Sequence, residues 1–167
     1  MASAYLLIAR IAEDRYAFDV PSWLRDAVLA LADQLDDELD GDDHPVFQRL
    51  FPTAYPDDPE KDAGYQILAR GELIETRHSA IDTVRASADA EELDGESLDA
   101  WMRVVNDLRL VLGTHMDLSE DHRWKPRKGD ESYYAMYEAF SLLLQSIVEA
   151  QMDFDDEDLV PGDDKEE

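Results

Sequence analysis

The chain has 167 residues, with 41 Asp and Glu against 15 Lys and Arg, a formal net charge of −26 and no cysteine. That length suits one domain with a sizeable core. The charge opposes nucleic acid and anionic membrane surfaces, and the lack of cysteine excludes disulfides, thiolate zinc sites and thiol nucleophiles while fitting a reducing cytosol.

The N-terminus carries only a short apolar run before Arg10 and no basic start, so no signal peptide is expected. No apolar run nears the roughly 18–20 residues of a membrane helix, and a cytoplasmic location is expected. AYLLIARIAEDRYAFDV reads as two short strands around Glu13-Asp14. Tyr16 and Phe18 alternate with Ala17 and Asp19, as in a half-buried strand. Pro21-Ser22 then opens a helix, with Asp19 or Val20 near its cap. Trp23, Leu24, Val28, Leu31, Leu35 and Leu39 follow at helical spacing, and Gly41 is a plausible stop.

HPVFQRLFPTAYPDDPEKD is too rich in proline for a long regular element. Phe47, Leu50, Phe51 and Tyr55 are too apolar for a free loop, so a short helical turn and an ordered loop pinned to the core are expected. Asp57 or Asp58 caps the next helix, with Pro59 at its first position and Glu60 in its first turn. Tyr65, Ile67, Leu68, Leu73, Ile74, Ile81 and Val84 lie along it, and it ends near Ala90. Gly64 and Gly71 weaken it; a small bend or close approach by another element would explain them.

GESLDAW begins a further helix behind Glu96 or Ser97, continuing through Trp101, Val104, Val105, Leu108, Val111, Leu112 and His115. SEDHRWKPRKGD is a loop and the only locally basic patch; Arg123, Trp124, Lys125, Arg127 and Lys128 form its candidate interaction feature. The last helix spans about Glu131 to Met152. Residues 1–154 are thus expected to form a single mainly α domain, a bundle of about four long helices with a small N-terminal β-hairpin. Residues 155–167 are expected to be an acidic disordered tail, too polar to offset its ordering entropy. The tail is either merely solvated or an acidic docking arm with Phe154 and Leu159-Val160 as anchors.

In WMRVVNDLRLVLGT (101–114) a polar Asn-Asp-Leu-Arg step interrupts an apolar helix face. Met102, Leu110 and Gly113 lie near the opposite side, so the helix should be central and covered twice. Its polar groups then need partners. Asp107 can pair with Arg103 one turn earlier. Arg109 has no carboxylate three or four residues away, and the corner of Asp57, Asp58 and Glu60 is the candidate partner. Asn106 could bond backbone near Phe51-Pro52. The cluster would then latch the proline-rich loop to the central helix; the alternative is contact with a ligand.

The pairing of RLFPTAYPDDPE (49–60) with WMRVVNDLRLVLGT resembles the uncharacterised actinobacterial family catalogued as domain of unknown function two thousand and seventeen. The resemblance covers roughly residues 5–152 and the same order of elements. Its motif positions are Arg49, Phe51, Pro52, Tyr55, Asp57, Asp58, Pro59, Trp101, Asn106, Asp107, Arg109 and Gly113. The resemblance implies a small cytoplasmic helical protein with no established reaction. Members tend to be encoded near the adaptor of the Clp protease, which implies a link to regulated proteolysis. Some are labelled transcriptional regulators, which an acidic chain does not support through direct DNA contact.

Catalytic and metal patterns are sparse. Glu75 and His78 make one Glu-x-x-His step, with Asp82 four residues on, whereas di-iron bundles need two such steps; a solvated face is expected instead. Asp40, Asp42, Asp43 and His44 lack the spacing and closing Glu of a calcium loop. His115 near a helix C-terminus suits capping or the dipole. His122 lies within the basic loop. No nucleophile elbow, phosphate loop or dinucleotide fingerprint occurs. No cofactor or metal is expected. The expected function is a non-catalytic interaction or regulatory protein offering an acidic helical surface to a partner with a basic surface. Clp adaptor or protease components are the partners the resemblance implies. The alternative is a small metal-dependent or hydrolytic enzyme using a loop-lined groove. The oligomeric state stays open.

Overall fold

The computed structural model describes residues 7–41, 50–121 and 123–152. Arg49, Phe47, Asp42, Asp43, His44, His122 and the 155–167 tail with its anchors lie outside the described residues. Strands β1 (Ile8–Ala12) and β2 (Arg15–Phe18) pair antiparallel, with Ile8 opposite Phe18 and Arg10 opposite Tyr16. The turn between them places Asp14 in the left-handed region at φ 56°, a conformation Asp tolerates better than most residues. A third strand that the sequence did not announce, β3 (Glu92–Leu93), joins the far edge of β2. The alternation expected for β2 holds, since Tyr16 and Phe18 point into the core with Ile8.

Among the described residues four long helices follow: α1 (Ser22–Leu39), α2 (Pro59–Ala86), α3 (Gly95–His115) and α4 (Glu131–Met152). The protein is therefore mainly α, with a small three-stranded antiparallel sheet. α3 is the central element and packs against α1, α2 and α4. Trp101, Val104, Val105, Leu108 and Leu112 are buried along it. Trp101 is fully enclosed, its ring centroid 4.8 Å from that of Phe18 and its Nε1 donating to Ser87 Oγ at 2.9 Å. On α4, Phe140, Leu143, Ile147 and Ala150 close the other side.

Arg25 ties the sheet to the helices. Its guanidinium donates to the carbonyls of Val20, Phe18, Ala88 and Ala90 at 2.6–2.9 Å and sits 4.4 Å from the Phe18 ring centroid. One side chain thereby pairs four backbone carbonyls, one at the end of β2 and three in the segments that follow β2 and α2.

The caps match local chemistry. The Asp58 carboxylate accepts from Lys61 N with Pro59 at the first turn, as the sequence indicates. α3 is capped by Asp94, whose carboxylate accepts from Ser97 N, rather than by Glu96 or Ser97. Hydrogen bonding from the Ser97 side chain, and then from its backbone, holds the Asp94 carboxyl below its ordinary value.

The largest departure from expectation is α2. It runs 28 residues, about 42 Å at 1.5 Å per residue, yet its buried residues are Ala80, Ile81 and Val84, all near the C-terminal end. Tyr65, Ile67, Leu68 and Leu73, the apolar residues expected along this helix, are exposed. They are distributed around the helix rather than along one stripe, so no single face could bury them all. The helix ends at Ala86, earlier than Ala90; at its C-cap Ser87 Oγ donates back to Thr83 O and accepts Trp101 Nε1–H.

Candidate functional site

The polar interruption of α3 is a latch with a partner other than those expected. Asp107 is buried, and its Oδ2 receives Arg77 Nε of α2 at 3.0 Å, not Arg103 of its own helix. Burial pushes the Asp107 carboxyl above its ordinary value even though Arg77 opposes that shift. Arg77 Nη2 also donates to Leu50 O at 3.1 Å, and the guanidinium lies 4.8 Å from the Phe51 ring centroid. One cation thus clamps the start of the 50–58 loop to the central helix.

The rest of that loop is held by α2 itself. Asp62 Oδ1 accepts Ala54 N and Tyr55 N at 2.8 and 3.1 Å, and Gln66 Nε2 donates to Pro52 O at 3.3 Å. Asp62, Gln66, Arg70 and Arg77 recur at helical spacing, so the loop follows one side of the helix. Tyr55 meets Tyr65 edge-on, with centroids 6.0 Å apart.

Arg109 corrects the expectation more sharply. It does not reach Asp57, Asp58 or Glu60. Its Nη2 donates to Tyr137 Oη of α4 at 3.1 Å, with the guanidinium 5.2 Å from that ring's centroid, and its buried Nε has no hydrogen-bond partner among the described residues. The sequence carried the signal, since Tyr137 is one of several tyrosines on the last helix, but not the direction in which Arg109 points. Asn106 does not bond the 51–52 backbone. With Arg103, Thr76, Arg77 and Asp107 it lines a cavity of about 170 Å³ between α2 and α3. Gly113 is buried in the last turns of α3.

That cavity adjoins a much larger groove of about 780 Å³ between the same helices. Asp14, Glu72, Glu75, Glu96 and Asp99 line it, and Arg103 is the one cation among its lining residues. Asp14 accepts Gly95 N at 2.8 Å, which fixes the β1–β2 turn against the start of α3. Asp99 accepts Gln151 Nε2 of α4 at 2.7 Å. Carboxylates from the hairpin, α2 and α3 are thereby brought to one concave surface. They are scattered in sequence, and only the packing of α2 on α3 assembles them.

His78 is not on a solvated face. Its Nδ1 meets Asp36 of α1 and its Nε2 lies 3.2 Å from Asp40, the residue that caps the C-terminus of α1. Arg85 joins the same row through Asp33, Asp36 and Asp82. The hydrogen bond to Asp36 raises the His78 pKa above 6.5, against an opposing contribution from burial. Burial pushes Asp36 up, but hydrogen bonds from His78 and Arg85 outweigh it and hold that carboxyl low. The legible signal was spacing: acids at 33, 36 and 40 match cations at 78 and 85 along two adjacent helices. Glu75 faces the groove instead, so the Glu-x-x-His step splits between two surfaces. Among the described residues no group of three or more His, Asp or Glu could hold a metal ion.

The basic loop is partly structural. Trp124 packs on Tyr134 with centroids 5.6 Å apart and donates Nε1–H to Asp117 O at 3.1 Å. Arg127 pairs with Asp130 and donates to His115 O, each at 3.1 Å. Arg123, Lys125 and Lys128 are exposed. His115 itself is exposed beside the Tyr133 ring at the C-terminal turn of α3, consistent with a dipole position. Among the described residues no helix is long and apolar enough to cross a membrane.

Comparison with known proteins narrows the family. A proposed oxidative stress regulator, AosR, of Mycobacterium leprae (strain TN) is 28% identical over 127 residues, a match covering 65% of this chain and 58% of that protein. The chain therefore spans little more than half the length of this curated relative. No solved structure matches. The model of a domain of unknown function, DUF2017, matches residues 9–151, taking in both the 49–60 and the 101–114 motifs. The chain belongs to the DUF2017 family.

Proposed function

We propose that this protein is a non-catalytic interaction protein with a regulatory role, and that it takes a basic segment of a protein partner into the α2–α3 groove. The observation that supports this is the groove itself: about 780 Å³, five carboxylates and a single cation on its lining. A concave surface of one sign between low-dielectric walls concentrates counter-charge and steers encounter. The chain's charge of −26 extends that field. Asp107 and Arg109 of the family motif, by contrast, are engaged by Arg77 of α2 and Tyr137 of α4. They position α2 on α3 and so shape the groove.

That the M. leprae relative is named as a regulator agrees with a regulatory role. Any sensing of oxidants by these 167 residues would not use a thiol, since they contain no cysteine. The exposed cations Arg123, Lys125 and Lys128 offer a second, smaller contact for an acidic part of a partner. Clp adaptor or protease components, implied by the family resemblance, are the first partners to assay. The test is an affinity pull-down from native lysate at low and moderate salt, with the full chain and a variant carrying Glu72→Gln, Glu75→Gln, Glu96→Gln and Asp99→Asn. A basic partner held by the full chain, lost at higher salt and lost by the variant supports the proposal. Equal capture by the variant overturns it.

A further inference from the structure

The N-terminal half of α2 stands apart from the core, and its outward side is the most exposed apolar surface among the described residues. Ile67 is 80% and Leu68 84% exposed. At 100° per residue, Gly64, Ile67, Leu68 and Gly71 fall on one stripe. The opposite side, at Asp62, Gln66 and Arg70, is the one the 50–58 loop follows. A Cβ built on Gly64 or Gly71 would meet nothing within 4 Å. The close approach that two helix-interior glycines suggest is therefore not made from within the described chain. Each glycine weakens the helix relative to alanine, and no contact among the described residues offsets that.

We infer that this outward face is a self-association surface, and that its occupant is the same face of a second copy, packed antiparallel about a two-fold axis. Charge selects the occupant. Two chains of −26 repel over most of their surface. Residues 59–73 are an exception, with Glu60, Asp62 and Glu72 set against Lys61 and Arg70. Antiparallel pairing centred between Ile67 and Leu68 sets Gly64 of one arm opposite Gly71 of the other, where two backbones can come close. It places Ile67 against Leu68 of the partner arm. It also brings Lys61, which lies over the Tyr55 ring at 4.3 Å, near Glu72 of the partner arm, twice by symmetry. The exposed arm is about 22 Å long. An interface confined to this arm is small beside a standard one, so the dimer is a reversible, concentration-dependent one.

Salt separates this surface from the groove. Screening relieves the repulsion between two acidic chains, so the dimer tightens as salt rises, whereas a basic partner in the groove is released. The test is sedimentation velocity of the full chain across the micromolar range at low and moderate salt, beside Leu68→Glu. That position is solvent-exposed, so the variant should melt like the wild type. The expected result is a concentration-dependent dimer, stronger at higher salt and weakened about tenfold or more in Leu68→Glu. The absence of cysteine gives a second measurement. Leu68→Cys should form a disulfide dimer under mild oxidation much faster than Leu142→Cys, whose position on α4 is 63% exposed. A monomer at every concentration and salt, a dimer unchanged by Leu68→Glu, or equal crosslinking of the two cysteine variants would each overturn the inference.

Discussion

Arg77→Met tests the latch at the base of the groove. The side chain is 18% exposed and its partner Asp107 13%, with Nε and Oδ2 3.0 Å apart. Methionine keeps the apolar stem but removes the cation, leaving a carboxylate enclosed without its counter-charge. Breaking a buried pair costs roughly 3–5 kcal/mol; residual solvent access favours the lower end. The Leu50 carbonyl loses a donor as well, for about 1 kcal/mol. A loss of about 3–4 kcal/mol follows, which for a chain this size lowers Tm by about 10 °C. Asp107 then supplies an internal check. Its folded pKa is raised, so the stability linked to its protonation is present below 3.8 and lost as pH rises through the folded value. Removing Arg77 raises that value further, so the deficit of the variant should shrink on acidification. Thermal melts by circular dichroism at neutral and mildly acidic pH would show both effects. Adding Asp107→Asn to Arg77→Met should restore at least half the loss. A Tm within about 2 °C of wild type, or no recovery in the double variant, would refute the reasoning.

Other outcomes follow from the same contacts. Arg25→Leu strips four carbonyls of their donor, and at about 1 kcal/mol each it should cost about 3–4 kcal/mol by urea denaturation; a near-neutral result would show that water replaces the guanidinium. His78 has a raised pKa, so its contribution is complete below about 6.5 and lost as pH rises through the folded value. Stability should therefore fall between mildly acidic and mildly basic pH, and His78→Gln should flatten that slope; an unchanged slope would put the dependence elsewhere. In the basic loop, Arg127→Ala should lower stability by about 1 kcal/mol while Lys125→Ala leaves it unaltered. Equal melting of the two would mean that the Arg127 contacts to His115 and Asp130 carry no weight.

Periodic and local signals were the legible ones. α4 appears at Glu131–Met152 because its apolar residues recur without a break, and Asp58-Pro59 marks the start of α2 because capping is a property of adjacent residues. α3 was legible as central because it is apolar on two sides. The latch was legible only as a need: Asp107 and Arg109 required partners, but partner choice depends on how α2 and α4 approach α3, which no spacing within α3 encodes. Nothing in the sequence around Arg77 sets it apart as the partner of Asp107. Ile67 and Leu68 were legible as helical positions but not as exposed ones. Apolar residues on all sides of α2 were the one warning that the helix outruns its core. The groove was hidden for a related reason, since its carboxylates come from three elements far apart in sequence.

The central claim is that the groove, rather than the general acidity of the chain, recognises basic segments. The most direct measurement is a chemical-shift titration of the isotopically labelled full chain with a short Lys/Arg-rich peptide at moderate salt. The account predicts saturable shifts concentrated at residues 72–83 and 95–103, with Asp14 included, and their loss when the groove carboxylates are neutralised. Small unsaturable shifts spread evenly over the acidic surface, unchanged in that variant, would contradict it.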